Sequence, residues 1–280
     1  MSFQTFISSE ALAQHLDDAE WKIFDCRFFL SDPKRGERVY KEGHIPGALY
    51  ADLDEDLAGP KTPQTGRHPL PEPKRFMQWL GDNGVDRTVQ VVAYDDSGGA
   101  TAGRLWWLLR WLGHDSVAVL DGGWPAWQQG GFPISTEITV PAPRVFKGTP
   151  NDDMYVTTAQ LEDELSEVLL IDARGAPRFR GDKEPIDPVA GHIPGAINVP
   201  FAGNLVDNDR IASPRALKAR FDEITAGSSK PVVHMCGSGV SACLNLLAME
   251  HAGKTGSKLY VGSWSEWVAD RERPVATGAE

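Results

Sequence analysis

Cysteine is scarce: the 280 residues contain three, at positions 26, 236 and 243. That is too few for a disulfide scaffold. None forms a CxxC pair, so neither a dithiol redox motif nor a structural zinc site is expected, and a reducing compartment suits the chain. Positive charge is also short. Lys and Arg total 28 against 39 Asp and Glu, a net charge of −11. A nucleic-acid binder needs a basic footprint, so nucleic acid is not an expected partner. No apolar run approaches the roughly 18 residues that cross a membrane. The first residues lack a basic segment followed by a continuous apolar one, so no secretory or transit peptide is expected and the protein is placed in the cytoplasm. Instead, Ser8 or Ser9 opens a short capped helix. A composition 41% hydrophobic and 24% charged is ordinary for a globular protein.

What the chain does have is an internal repeat. Asp25-Cys26-Arg27 recurs as Asp172-Ala173-Arg174. Gly43-His44-Ile45-Pro46-Gly47-Ala48 recurs unchanged as Gly191-His192-Ile193-Pro194-Gly195-Ala196. Trp124 and Trp127 recur as Trp264 and Trp267. Matching order at nearly constant spacing indicates two copies of one domain, 1–138 and 154–280. The proline-rich, aperiodic stretch 139–153 reads as a linker between them. Short apolar runs predict strands at 21–26, 48–51, 89–94 and 117–120, and again at 168–173, 196–200, 231–235 and 258–261. Helices are expected between them, at 73–83, 102–112, 214–224 and 241–252. Strands alternating with helices imply a mainly parallel α/β sheet covered on both faces. The repeated Asp and Arg residues are expected to be structural ion pairs, and the repeated tryptophans to be core.

The copies differ at one loop. After the third strand of the second copy comes Cys236-Gly237-Ser238-Gly239-Val240-Ser241, leading straight into a helix. The first copy has Asp95-Asp96-Ser97-Gly98-Gly99 there, with either Asp95 or Asp96 opposite Cys236 depending on the side from which one counts. The loop lies at the carboxyl end of a strand, where open α/β sheets build their sites. It also enters a helix N-terminus, whose free N–H groups favour an anion. Gly237 and Gly239 let successive N–H groups turn inward as a nest. Such a loop favours a thiolate, or the anion of a persulfide, on Cys236. Cys26 and Cys243 are expected to be packed. A phosphatase of the CX5R type would need Arg where Ala242 stands.

The repeat, its DCR/DAR and GHIPGA elements and the loop CGSGVSA resemble the two-domain rhodanese (sulfurtransferase) family over almost the whole chain. The resemblance implies two tandem rhodanese-like domains, each a mainly parallel five-stranded α/β sheet flanked by helices, the first silent and the second catalytic. It implies ping-pong transfer through a persulfide on Cys236, with no metal and no organic cofactor. A sulfur donor binds, and cyanide or an acceptor thiol, such as a reduced thioredoxin-like protein, takes the sulfur.

The loop is similar to that of 3-mercaptopyruvate sulfurtransferases; a thiosulfate sulfurtransferase is the alternative, and a non-catalytic binding module a further one. Arg178 matches the family's substrate-carboxylate arginine, and the main chain of Gly237, Gly239, Val240 and Ser241 would hold the substrate. Ser238 matches a loop serine grouped with a His and an Asp, for which His44 and Asp32 are the matching positions. One departure stands out. A second arginine expected some nine residues beyond the first is missing from Glu184-Pro185-Ile186-Asp187-Pro188, and Arg180 is the candidate substitute.

Overall fold

A computed structural model describes residues 2–279, apart from the side chain of Asn208. The chain divides into two compact units. The first comprises the chain up to Gly59, Leu70–Asn151 and Val206–Ile211. The second comprises Pro60–Pro69, Asp152–Leu205 and the chain from Ala212 onward. Each unit therefore takes a short segment from the sequence stretch of the other, a division that the repeat alone does not reveal.

The first unit is a five-stranded sheet made of β1 (Phe6–Ile7), β2 (Trp21–Asp25), β3 (Leu49–Tyr50), β4 (Gln90–Tyr94) and β5 (Val117–Leu120), in the order β1-β5-β4-β2-β3. Every pairing is parallel. Its helices are α1 (Ser9–Ala13), α2 (Arg35–Glu42), α3 (Pro73–Asp82), α4 (Ala102–Trp111) and α5 (Gly123–Gln129). The Ser8 side chain caps α1 by accepting from the Ala11 N–H. All five residues of β4 are buried, as a central parallel strand requires.

The second unit repeats the plan with β6 (Tyr155–Val156), β7 (Leu169–Asp172), β8 (Ile197–Asn198), β11 (Val232–Met235) and β12 (Lys258–Tyr260), in the order β6-β12-β11-β7-β8 and again wholly parallel. Along the chain, between β8 and β11, comes a two-stranded ribbon of β9 (Leu205–Val206) and β10 (Arg210–Ile211), nearly all of it in the segment Val206–Ile211 that belongs to the first unit. The helices are α6 (Thr158–Glu164), α7 (Ala176–Arg180), α8 (Pro214–Ile224), α9 (Ala242–His251) and α10 (Ser263–Trp267). No helix among the described residues is long and apolar enough to cross a membrane.

The repeated motifs form the same cluster in each unit. Asp25 accepts from the Arg27 main-chain N–H at 3.0 Å, its Nη2 at 2.5 Å and the Tyr94 hydroxyl at 2.7 Å. Arg27 Nη2 also donates to the Gly43 carbonyl at 2.7 Å, and the guanidinium lies 4.6 Å from the Trp124 ring centre. In the second unit Asp172, Arg174, Gly191 and Trp264 do the same, with Arg174 Nη2 2.7 Å from the Gly191 carbonyl and its guanidinium 4.6 Å from the Trp264 ring. A buried guanidinium is tolerated because its carboxylate, a turn carbonyl and a ring face all meet it. The repeat thus encodes the joint between strand, turn and helix.

The stretch 139–153, read as a linker, is extended but not loose. Its Arg144 N–H donates to Gly81 O at 2.8 Å, its guanidinium binds Glu20 and Asp86, and Phe146 is buried. It runs as a strap over α3 and the end of α4.

Candidate functional site

Cys236 follows the last residue of β11 and is buried. The ladders settle its counterpart. Met235 pairs with Asp172 as Tyr94 pairs with Asp25, so Cys236 corresponds to Asp95.

Asp95 shows what this loop is built to hold. One carboxylate oxygen accepts from the Ser97 N–H at 2.9 Å and the Gly99 N–H at 2.8 Å. The other accepts from the Thr101 N–H at 2.8 Å, the Thr101 hydroxyl at 2.9 Å and the Ala102 N–H at 2.9 Å. The first unit fills its own anion cradle. The loop of the second unit contains no acidic residue and carries a thiol at the matching place.

Several contacts fix the Cys236 loop. The Cys236 N–H donates to Ser263 Oγ at 3.1 Å, and that hydroxyl donates to Tyr260 O at 2.9 Å. The carbonyls of Cys236 and Gly237 accept from the N–H groups of Trp264 and Ser265, at 3.0 and 2.9 Å. Ser263 holds a left-handed backbone, φ 52°, uncommon for a residue with a side chain. Gly123, its counterpart, could carry none, since a Cβ there would sit 2.2 Å from Asp95 O. Gly239 is also left-handed, φ 73°, and a Cβ on it would meet Val261 O at 2.6 Å. The two other thiols are packed. Cys243 lies inside α9 with Sγ 3.4 Å from Gly239 O. Burial, then the charges of Asp25, Asp95 and Asp56, push the Cys26 thiol far up.

Ser238 is buried, and its Oγ lies 2.7 Å from His68 Nδ1. The sequence reading groups His44 with Ser238; in the structure the histidine that lies against Ser238 is His68. The ring nitrogens of His44 face the main-chain carbonyls of Tyr40 and Glu137, at 2.8 and 3.0 Å, and the ring stacks on Tyr40. His192 does likewise, with Nδ1 on Phe179 O at 2.8 Å and its ring stacked on Phe179. Both GHIPGA histidines pin a helix to its following turn. Asp32, the carboxylate expected to join the group, is exposed and bound to Arg38, which holds it below the usual carboxylate range.

Arg178 projects from α7, and its Nε reaches both oxygens of Glu184, at 3.1 and 2.9 Å. Its Nη2 donates to Asp187 Oδ2 at 2.8 Å. The other oxygen of Asp187 takes Nη1 of Arg67. Burial pushes the Asp187 carboxyl up, aided by Glu184 and opposed by the two arginines, with a net rise. Burial also works against ionised Glu184, but Arg178 and the N–H groups of Asp187 and Ile186 hold it below the usual range. Arg180, the candidate substitute for the absent second arginine, points elsewhere and pairs with Asp182.

The segment Pro60–Pro69 supplies His68 and Arg67. It is fastened by Gly66 N–H to Glu266 Oε2 at 3.1 Å and by Arg67 N–H to Ser265 Oγ at 3.0 Å. Nothing in the repeat marks this segment, because the stretch at the matching place in the second copy, between β8 and α8, is shorter and shares no motif with it. That asymmetry is the signal that could have found it. Among the described residues, no three His, Cys, Asp or Glu side chains are grouped to hold a metal.

Comparison with known proteins identifies the family. The model of the rhodanese-like domain matches twice, at residues 8–130 and 157–270. The chain is 46% identical to a probable 3-mercaptopyruvate sulfurtransferase of Pseudomonas aeruginosa, over 99% of this chain and 100% of that protein. It is 39% identical to a putative thiosulfate sulfurtransferase of Mycobacterium tuberculosis, over 91% and 90%. Among solved structures, the 3-mercaptopyruvate sulfotransferase SseA from Escherichia coli superposes with a TM-score of 0.80 at 32% identity, over 94% of this chain and all of that one. Two matched domains and relatives of this closeness over their full length establish that the chain belongs to the rhodanese family, with two rhodanese-like domains in tandem.

Proposed function

We propose that the protein is a sulfurtransferase that carries sulfur on Cys236 and takes it from 3-mercaptopyruvate. The observation that carries the reading is the hydroxyl of Ser238, two residues beyond the nucleophile, set 2.7 Å from His68. The Cys236 thiolate attacks the donor sulfur, the carbon–sulfur bond breaks, and its electron pair leaves as the enolate of pyruvate. The donor's thiol proton ends on carbon to give pyruvate, and Ser238 with His68 is the relay that carries it. The persulfide anion that remains lies in a loop of the kind that holds the Asp95 carboxylate in the first unit. Cyanide, a small thiol or a reduced thioredoxin-like protein then takes the outer sulfur and restores the thiolate. The three free cysteines support a reducing, cytoplasmic setting for that exchange.

Thiosulfate is the second reading. The guanidinium groups beside Gly237 also suit a dianion, and relatives named for each donor align over the length of the chain. Mass spectrometry after exposure to mercaptopyruvate tests the proposal. One added sulfur atom is expected on wild-type protein and none on Cys236→Ser. A persulfide on the Cys236→Ser protein would reject Cys236 as the carrier. Thiosulfate proving the better donor in parallel kinetics would transfer the assignment to the second reading.

A further inference from the structure

Position 187, nine residues beyond Arg178, holds an aspartate where a second arginine is missing. That aspartate brings a guanidinium from elsewhere in the chain. Its two oxygens divide between Arg67 Nη1 and Arg178 Nη2, so one buried carboxylate holds both side chains together. Their remaining nitrogens face the loop that carries Cys236. A Cβ built on Gly237 would lie 2.7 Å from Arg67 Nη2 and 3.5 Å from Arg178 Nη1. The absence of a side chain at Gly237 is what lets the Arg67 guanidinium come this close to the loop. Among the described residues, the buried Nε of Arg67 has no hydrogen-bond partner. The Arg67 backbone is itself fixed through Ser265. Two guanidiniums side by side against Gly237, one residue from the nucleophile, with Arg67 Nη2 and Arg178 Nη1 not engaged by Asp187, are the groups that suit a carboxylate.

We infer that Arg67 is the second arm of the donor-carboxylate clamp, set in place by Asp187 and acting beside Arg178. This rests on the proposed reaction and adds a specificity residue to it. The arginine missing from the segment after Arg178 is replaced by an ion pair: a carboxylate at 187 and a guanidinium supplied from residue 67.

The test compares mercaptopyruvate with 1-mercaptopropan-2-one, in which a methyl group replaces the carboxylate. Arg67→Gln is expected to lower kcat/KM for mercaptopyruvate about 10- to 150-fold, mainly through KM, as loss of one charge-assisted contact implies. Turnover of the carboxylate-free ketone is expected to stay within about twofold, and inhibition by pyruvate to weaken in parallel. Arg67→Lys restores part of the loss. The double variant Arg67→Gln with Asp187→Asn leaves no uncompensated buried carboxylate at this place and keeps the full defect. An equal fall for both donors, or recovery of mercaptopyruvate preference in the double variant, would overturn the assignment. Wild-type protein that forms no persulfide from mercaptopyruvate would sink the proposed reaction itself, a result distinct from an Arg67→Gln protein that matches wild type.

Discussion

Ser238 and His68 touch at 2.7 Å, and a relay of two groups fails when either is lost. Ser238→Ala and His68→Gln are each expected to slow mercaptopyruvate turnover roughly 100-fold, the usual scale of general acid–base help. The double variant should be little worse than either single one, because both remove the same proton path. Thiosulfate leaves as sulfite and needs no proton on carbon, so its turnover should fall far less. Equal losses with both donors, measured side by side, would reject the relay. At this scale the sequence singled out the Cys236 loop and Arg178, which the structure brings together at Gly237, but it grouped His44 with Ser238, where the structure has His68. His44 drew attention because it repeats. Repeated residues are those that both units need in order to fold, and His44 and His192 each pin a helix to a turn. Cys236 drew attention because it breaks the repeat, and His68 breaks it as well, lying in a stretch whose counterpart before α8 is shorter and shares no motif with it.

The loop after β4 and the loop after β11 share an architecture but hold different anions. Asp95 accepts five hydrogen bonds there, so Asp95→Ala leaves buried N–H groups unpaired. The expected cost is on the order of 3–5 kcal/mol, visible as a lower urea midpoint with an unchanged slope. A midpoint equal to wild type would contradict the carboxylate's role as the filling of the cradle. The turn after β3 carries the opposite kind of carboxylate. Burial, then the neighbouring charges of Asp52 and Glu55, push the Asp56 carboxyl up to about 6. A carboxyl whose folded value lies above its unfolded one costs stability above about pH 6, and the cost disappears as pH falls below its ordinary range near 4. Asp56→Asn should therefore stabilise the protein at pH 8, by no more than about 3 kcal/mol, and should make little difference at pH 4. Thermal midpoints across that range would check the sign. The longer strands and helices were legible from their apolar runs. The edge strands β1 and β6 were not, since two residues carry no periodicity; the equally short β3 and β8 were found because each follows a repeated GHIPGA turn. Helices as short as α7 and α10 are fixed by the tertiary contacts of Arg178 and Trp264 rather than by any pattern along the chain.

The two copies are legible as a repeat, whereas the exchange of segments between the units is not. Gly66 finds its partner 200 residues away, at Glu266, and His68 finds Ser238 at a separation of 170. No local signal encodes contacts of that range. Replacing Pro60–Pro69 by a Gly/Ser segment of equal length should leave both sheets intact by circular dichroism while removing Arg67 and His68 together. Mercaptopyruvate turnover is expected to fall at least 1,000-fold, beyond either single loss, because binding and proton transfer go at once. Turnover near wild type would place the donor site elsewhere in the molecule. The same long separation also sets a time. A ribosome adding about 5–20 residues per second needs on the order of 10–40 s to carry synthesis from Gly66 to Glu266. For that interval the arginine and histidine of the site exist without the residues that hold them. The first sheet can close while its own chain still carries ten residues that belong to something not yet made, so competence for catalysis arrives only as the last helix, α10, leaves the ribosome.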